Sequence, residues 1–182
     1  MAAWFAGWRG ARDKRGVDAI VAGLMTEPND DDVRWLTGQI GGDEDRARWE
    51  LRYARRALGL IVAQRDALED RTASLVAHKL TAAMVADRNV AAPRVRLVER
   101  QFNERLSAYR DMMQLRGQAS QVTERTGRAL LMLGGAPRVT ADALERAARI
   151  TAAYADEANI ALRREVGEPT LPPDIRPSAV KR

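Results

Sequence analysis

Apolar positions recur at helical spacing along nearly the whole chain. The longest stripe runs Leu51, Ala54, Leu58, Ile61, Leu68, Thr72, Leu75, Leu80 and Ala83. Its period stays close to that of one face of an α-helix. Asp43-Glu44-Asp45 supplies acids for a first turn just after Gly41-Gly42, and no Pro follows until Pro93. These signals predict one unbroken helix of roughly 65 Å at 1.5 Å per residue, ending at Asp87-Arg88-Asn89. A second stripe runs Val95, Val98, Phe102, Leu106, Tyr109, Met113, Val122, Leu130 and Leu133. Gly117 and Gly127 lie within it, and a kink or break is expected between residues 116 and 121. Gly134-Gly135-Ala136-Pro137 ends it.

Shorter helices flank these two. In residues 3–26, Trp4, Phe5 and Trp8 lie on one side of a helical wheel. Val17, Ile20, Val21 and Leu24 lie on nearly the opposite side, which predicts two short helices with a break near Gly10 or Gly16. Asn29 or Asp30 can cap the next helix, which carries Val33, Trp35, Leu36 and Ile40. Thr140 caps a last helix with Leu144, Ala148, Thr151, Ala155, Ala158, Leu162 and Val166 on its face, and Gly167 stops it. The tail from Glu168 holds Pro169, Pro172, Pro173 and Pro177 and reads as extended. No stretch alternates with the period of a strand, and no repeat recurs at solenoid spacing.

The expected fold class is therefore all-α. The short turn near Pro93 makes the two long helices antiparallel neighbours, paired like a coiled coil. Equal register places Leu51 opposite Leu130. The expectation is an elongated helical hairpin over residues 43–134, with short helices from 1–42 and a C-terminal helix over 138–167 packed at its open end. Residues 168–182 form the Pro-rich tail of this single domain. Ala57–Ala63 and Ala129–Leu133 are apolar on every side, and such a helix has to be covered on every side. That predicts a thick head at the open end. The turn from Lys79 to Val98 is expected to project as a thinner tip, with Met84, Val85, Val90 and Val95 available for contact.

Composition narrows the chemistry. Of the 182 residues 46% are hydrophobic and 30% charged, which is globular rather than disordered composition. No apolar run approaches the roughly 18 residues that span a bilayer. The first residues lack a basic region and are too short for a secretory leader, so a cytoplasmic location is expected, including the cytoplasmic face of a membrane or an assembly. The absence of Cys excludes disulfides, thiolate metal sites and Cys nucleophiles. His78 is the only His, so the paired Glu-x-x-His motifs of a di-metal bundle are absent, as is any context for a Ser-His-Asp triad. Asp30-Asp31-Asp32 and Asp43-Glu44-Asp45 lack calcium-loop spacing and read as compensation of helix N-terminal dipoles. Gly41-Gly42 and Gly134-Gly135 lack the strand and Lys of a phosphate loop. No catalytic residue, cofactor or metal is expected.

The formal net charge is +5. Acids and Arg are interleaved, as in Arg46, Arg48, Glu50 and Arg52, so these read as a solvated helix surface and nucleic-acid binding is disfavoured. Two terminal segments stand out. Trp4, Phe5, Trp8, Arg9, Arg12, Lys14 and Arg15 combine aromatics with cations. They have three readings: a cap on the chain's own core, an anchor into a protein partner, or an interfacial membrane helix. The tail, through Ile175, Arg176 and Val180, is either a frayed end or a docking segment. The function expected from these features is that of a non-catalytic structural or assembly protein, a subunit of a homo-oligomer or larger complex. A peripheral membrane protein anchored through residues 1–16 comes second, and a basic helical nucleic-acid-binding protein third.

Overall fold

The computed structural model describes residues 15–67, 70–115 and 118–167. All regular structure among the described residues is helical. Helix α1 covers residues 15–24. It is followed by α2 (Asp30–Gln39), α3 (Glu44–Asp66), α4 (Asp70–Val85), a 3-10 turn (Ala92–Arg94), α5 (Val95–Gln114), α6 (Ala119–Gly134) and α7 (Ala141–Val166). No described helix is long and apolar enough to cross a membrane.

The caps follow from the residues placed at them. The Asn29 side chain accepts from the Asp32 N–H, Asp43 from Arg46 and Thr140 from Ala143. Each satisfies one of the donors that a helix start leaves open. Helix α6 stops at Gly135, whose φ of 85° only glycine adopts without strain. Ala136 N–H then reaches back to the Leu131 carbonyl, satisfying a terminal acceptor.

Helix α3 is the centre of the molecule. Ala57, Leu58, Gly59, Leu60, Ile61, Val62 and Ala63 are all buried, as a stretch apolar on every side requires. Gly59 lies under Leu24 of α1, so close that a Cβ would stand 2.1 Å from a Leu24 methyl. Helix α7 reaches α3 through Arg55–Glu157 and Asp66–Asn159. Helices α6 and α7 pack most closely at Gly127, where a Cβ would lie 2.5 Å from the Ala148 nitrogen. Thr126 and Thr151 share a buried hydroxyl–hydroxyl bond of 3.0 Å beside that contact. At the other end of α7, Gly16 abuts Glu165, with a Cβ position only 3.0 Å from its carbonyl oxygen.

Several expectations need correction. The predicted unbroken first arm is two helices. Ala67 turns to ψ 137°, and α4 folds back so that Asp87 meets Arg56 of α3 at 3.1 Å. Folding back covers Thr72, Val76, Leu80 and Met84, which a straight rod would have left on one long exposed face. The turn is therefore held against α3 at Asp87, whose side chain is 7% exposed, while most of its other residues, among them Arg88, Asn89, Ala91 and Arg94, are exposed. The equal register fails as well, since Glu50 pairs with Arg105 and Tyr53 with Gln101, both on α5. Only the open end keeps it, where Arg46 donates to the Leu133 carbonyl at 3.5 Å. The break between the second pair of helices falls after Leu115, close to its expected place. Gly16 lies inside α1 and is buried, so no break occurs there. In the second all-round apolar stretch, Leu130 and Leu131 are buried but Met132 is 65% exposed.

Candidate functional site

The most unusual chemistry lies on α3, in residues whose pattern reads as solvated surface. Glu50, Arg52 and Arg56 are buried instead. Each is answered from another element. Glu50 accepts a bidentate pair of hydrogen bonds from Arg105, with Nε at 3.2 Å. Arg52 donates from Nε and Nη2 to one Glu27 oxygen, at 2.9 and 2.7 Å. Arg56, 1% exposed, donates to Asp87 from Nη2, while its Nε and Nη1 find no hydrogen-bond partner. Rings close over the cations: Arg52 lies 4.6 Å from the Trp49 ring centre and Arg105 lies 5.5 Å from that of Tyr53. The Tyr53 hydroxyl donates to Gln101 Oε1 at 3.0 Å.

The electrostatics tighten this arrangement. Burial, and then the Glu50 charge, push the Tyr53 hydroxyl up to about 12, so it stays a donor at neutral pH. Burial raises Tyr109, and it raises Tyr154 to about 12. The hydrogen bond from Arg105 to Glu50 raises Arg105. Burial works against the charge of Asp87, but the Asn89 N–H and Arg56 outweigh it and hold the carboxyl below its usual range. Burial lowers Arg56. Arg65 is raised and Asp66 lowered chiefly by the hydrogen bond between them, and Arg48 is raised chiefly by its bond to Glu44.

Beside the charges lies a cleft of about 270 Å³ lined by Trp49, Tyr53, Asn89, Arg94 and Gln101 among others. A smaller cavity of about 220 Å³ lies between α1, α3 and α7, against Leu24, Arg55 and Tyr154. Arg55 is committed there, pairing with Glu157 at 3.0 Å and lying 4.4 Å from the Tyr154 ring centre. An apolar groove of about 500 Å³ lies between α6 and α7, walled by Thr123, Leu144, Ala148 and Ala152. Among the described residues no group of three or more His, Asp or Glu could hold a metal ion. His78 is exposed on α4.

The contact residues expected at the tip separate. Met84 is 3% exposed and belongs to the core, a correction that follows from the folding back of α4. Val85 is 47% exposed, while Val90 and Val95 are half-buried. Arg15, the first described residue of α1, is exposed. Trp4, Phe5, Trp8, Arg9, Arg12, Lys14, Ile175, Arg176 and Val180 lie outside the described residues. The sequence reading missed the buried charges of α3 and the α6–α7 groove. A signal was present for the first: a helix apolar all round at Ala57–Ala63 has neighbours on every side, so charges one or two turns before it are drawn inward too. No family model matches the chain, and neither does any curated protein or solved structure.

Proposed function

We propose that this chain is a non-catalytic structural or assembly protein, a helical subunit of a homo-oligomer or of a larger protein complex. The observation that carries this reading is the apolar groove between α6 and α7, in which Leu144 and Ala148 are only half-buried by the described chain. Exposed Met132 on α6 and Ile160 on α7 add large apolar side chains to the same two helices. An exposed apolar concavity of this kind marks an association site. The charged cluster supports the same reading, because its groups neutralise one another inside the protein and leave little to act on a substrate. Native mass measurement of the purified chain and of the chain in cell extract tests the proposal. The expected result is a species well above the 20.2 kDa of one chain in at least one of the two. A monomer in both rejects it.

A second reading, a peripheral membrane protein, is favoured by the contact between Gly16 and Glu165. That contact sets the described residues that follow the aromatic and cationic segment 1–14 beside those that precede the segment carrying Arg176, Lys181 and Arg182. Flotation with anionic vesicles, comparing the full chain with one lacking residues 1–14, separates the readings. Equal flotation of both, or none of either, removes the membrane reading.

A further inference from the structure

The groove between α6 and α7 has a pattern of charge that selects its occupant. Helix α7 contributes Ala141, Leu144, Glu145, Ala148, Arg149 and Ala152 to it, a set centred close to residue 147. Glu145 and Arg149 flank that centre symmetrically. They bond each other along the helix, and both side chains are about two-thirds exposed. A closed dimer has a two-fold axis, so one surface patch has to complement itself. Where two copies of one helix cross antiparallel about residue 147, each residue meets the one equally far on the other side of that centre. Glu145 then meets the partner's Arg149, and Arg149 meets the partner's Glu145. Ala141 meets the partner's Ala153, and these small side chains let the backbones approach. Asp142 falls opposite Ala152, so no acid of this face meets an acid of the other α7.

We propose that the occupant of this groove is a second copy of the same chain, with α7 seated antiparallel on α7 about a two-fold axis near residue 147. This rests on the assembly reading and gives it a partner and a geometry. Completing the burial of the half-buried Leu144 and Ala148 supplies the attraction. The paired Glu145 and Arg149 set the register, since opposite charges in contact favour one alignment and like charges penalise the others. The exchange costs no hydrogen bond, because each side chain trades its partner on its own helix for the equivalent group on the other copy.

The test uses the full chain and two variants, Glu145→Arg and Arg149→Glu, followed by sedimentation equilibrium. Wild type is expected to dimerise at concentrations up to about 100 µM. Either variant alone places like charges opposite each other twice, once on each side of the axis. Each is expected to weaken self-association by about tenfold or more. An equimolar mixture of the two restores opposite charges at both contacts and is expected to recover the wild-type affinity. A merely structural role for either side chain would not produce recovery on mixing two separately folded proteins. A monomeric wild type overturns the proposal, as do variants that dimerise like wild type, or a mixture that stays monomeric. If wild type is monomeric when pure but runs as a large species in extract, the two-fold proposal falls and the assembly reading stands. If it is monomeric in both, both fall.

Discussion

Arg56 holds a guanidinium at the centre of the molecule with one carboxylate, Asp87, to answer it. Removing a single partner of such a pair leaves an uncompensated buried charge, whereas removing both leaves a hydrophobic site. Asp87→Ala is therefore expected to lower unfolding stability by about 3 kcal/mol or more in urea titrations, and the double variant Asp87→Ala with Arg56→Met to recover most of the loss. The same carboxyl sets a pH dependence. Asp87 is held below its usual range, and so is Asp66, chiefly by its hydrogen bond from Arg65. The unfolded chain then binds protons at higher pH than the folded one does. Their contribution is full above the ordinary Asp value of about 3.9 and is lost as pH falls through the lower folded values. Asp87→Asn is expected to flatten that acid limb when urea midpoints are compared from pH 6 down to about pH 3. Two buried glycines make a further contrast. A Cβ at Gly127 strikes the backbone of Ala148, and one at Gly59 strikes only the Leu24 side chain. Gly127→Ala is expected to cost about 1–3 kcal/mol by forcing α6 and α7 apart, and Gly59→Ala less, since Leu24 can turn away. Thermal melts of the two variants check the order.

At the scale of elements, the starts and stops were legible because each is local chemistry. Asn29, Asp43, Thr140 and Gly135 satisfy helix ends with their own side chain or backbone, whatever else the chain does. The turn after Ala67 was not legible. The sequence from Ala63 to Asp70 contains neither Gly nor Pro and is made largely of good helix formers. What bends the chain there is tertiary: Asp87 on Arg56, Lys79 on Asp18, Asn159 on Asp66, and the burial of Val76, Leu80 and Met84. Spacing alone cannot distinguish one long stripe from two stripes that face each other. A peptide of residues 56–81, taken out of this setting, is expected to be helical straight through residue 67 in helix-promoting solvent. Sequential i to i+3 proton contacts across residues 66–70 would be the sign of it, and their absence would show that the break is local after all. The candidate site was hidden for the same reason. Interleaved Arg and Glu on one helix read as a wet surface until Arg105, Glu27 and Asp87 are known to arrive from elsewhere.

At the scale of the molecule, the organising fact is that α3 is enclosed. The remaining helices gather round a segment with no polar face, and that requirement was readable from Ala57–Ala63 even though the arrangement meeting it was not. Enclosure turns the chain from a rod into a bundle, which takes Met84 into the core and leaves an apolar groove between α6 and α7. The close meeting of Gly16 and Glu165 has a topological consequence. With the first and last described helices touching there, the described part of the fold is almost a closed loop of polypeptide, and the point at which it is cut matters little to its packing. A circular permutant that joins Gly167 to Arg15 by a linker of about five residues, and opens between the exposed Pro137 and Arg138, is expected to fold with near-native melting behaviour. The order in which the helices leave the ribosome would then be rearranged around an unchanged core.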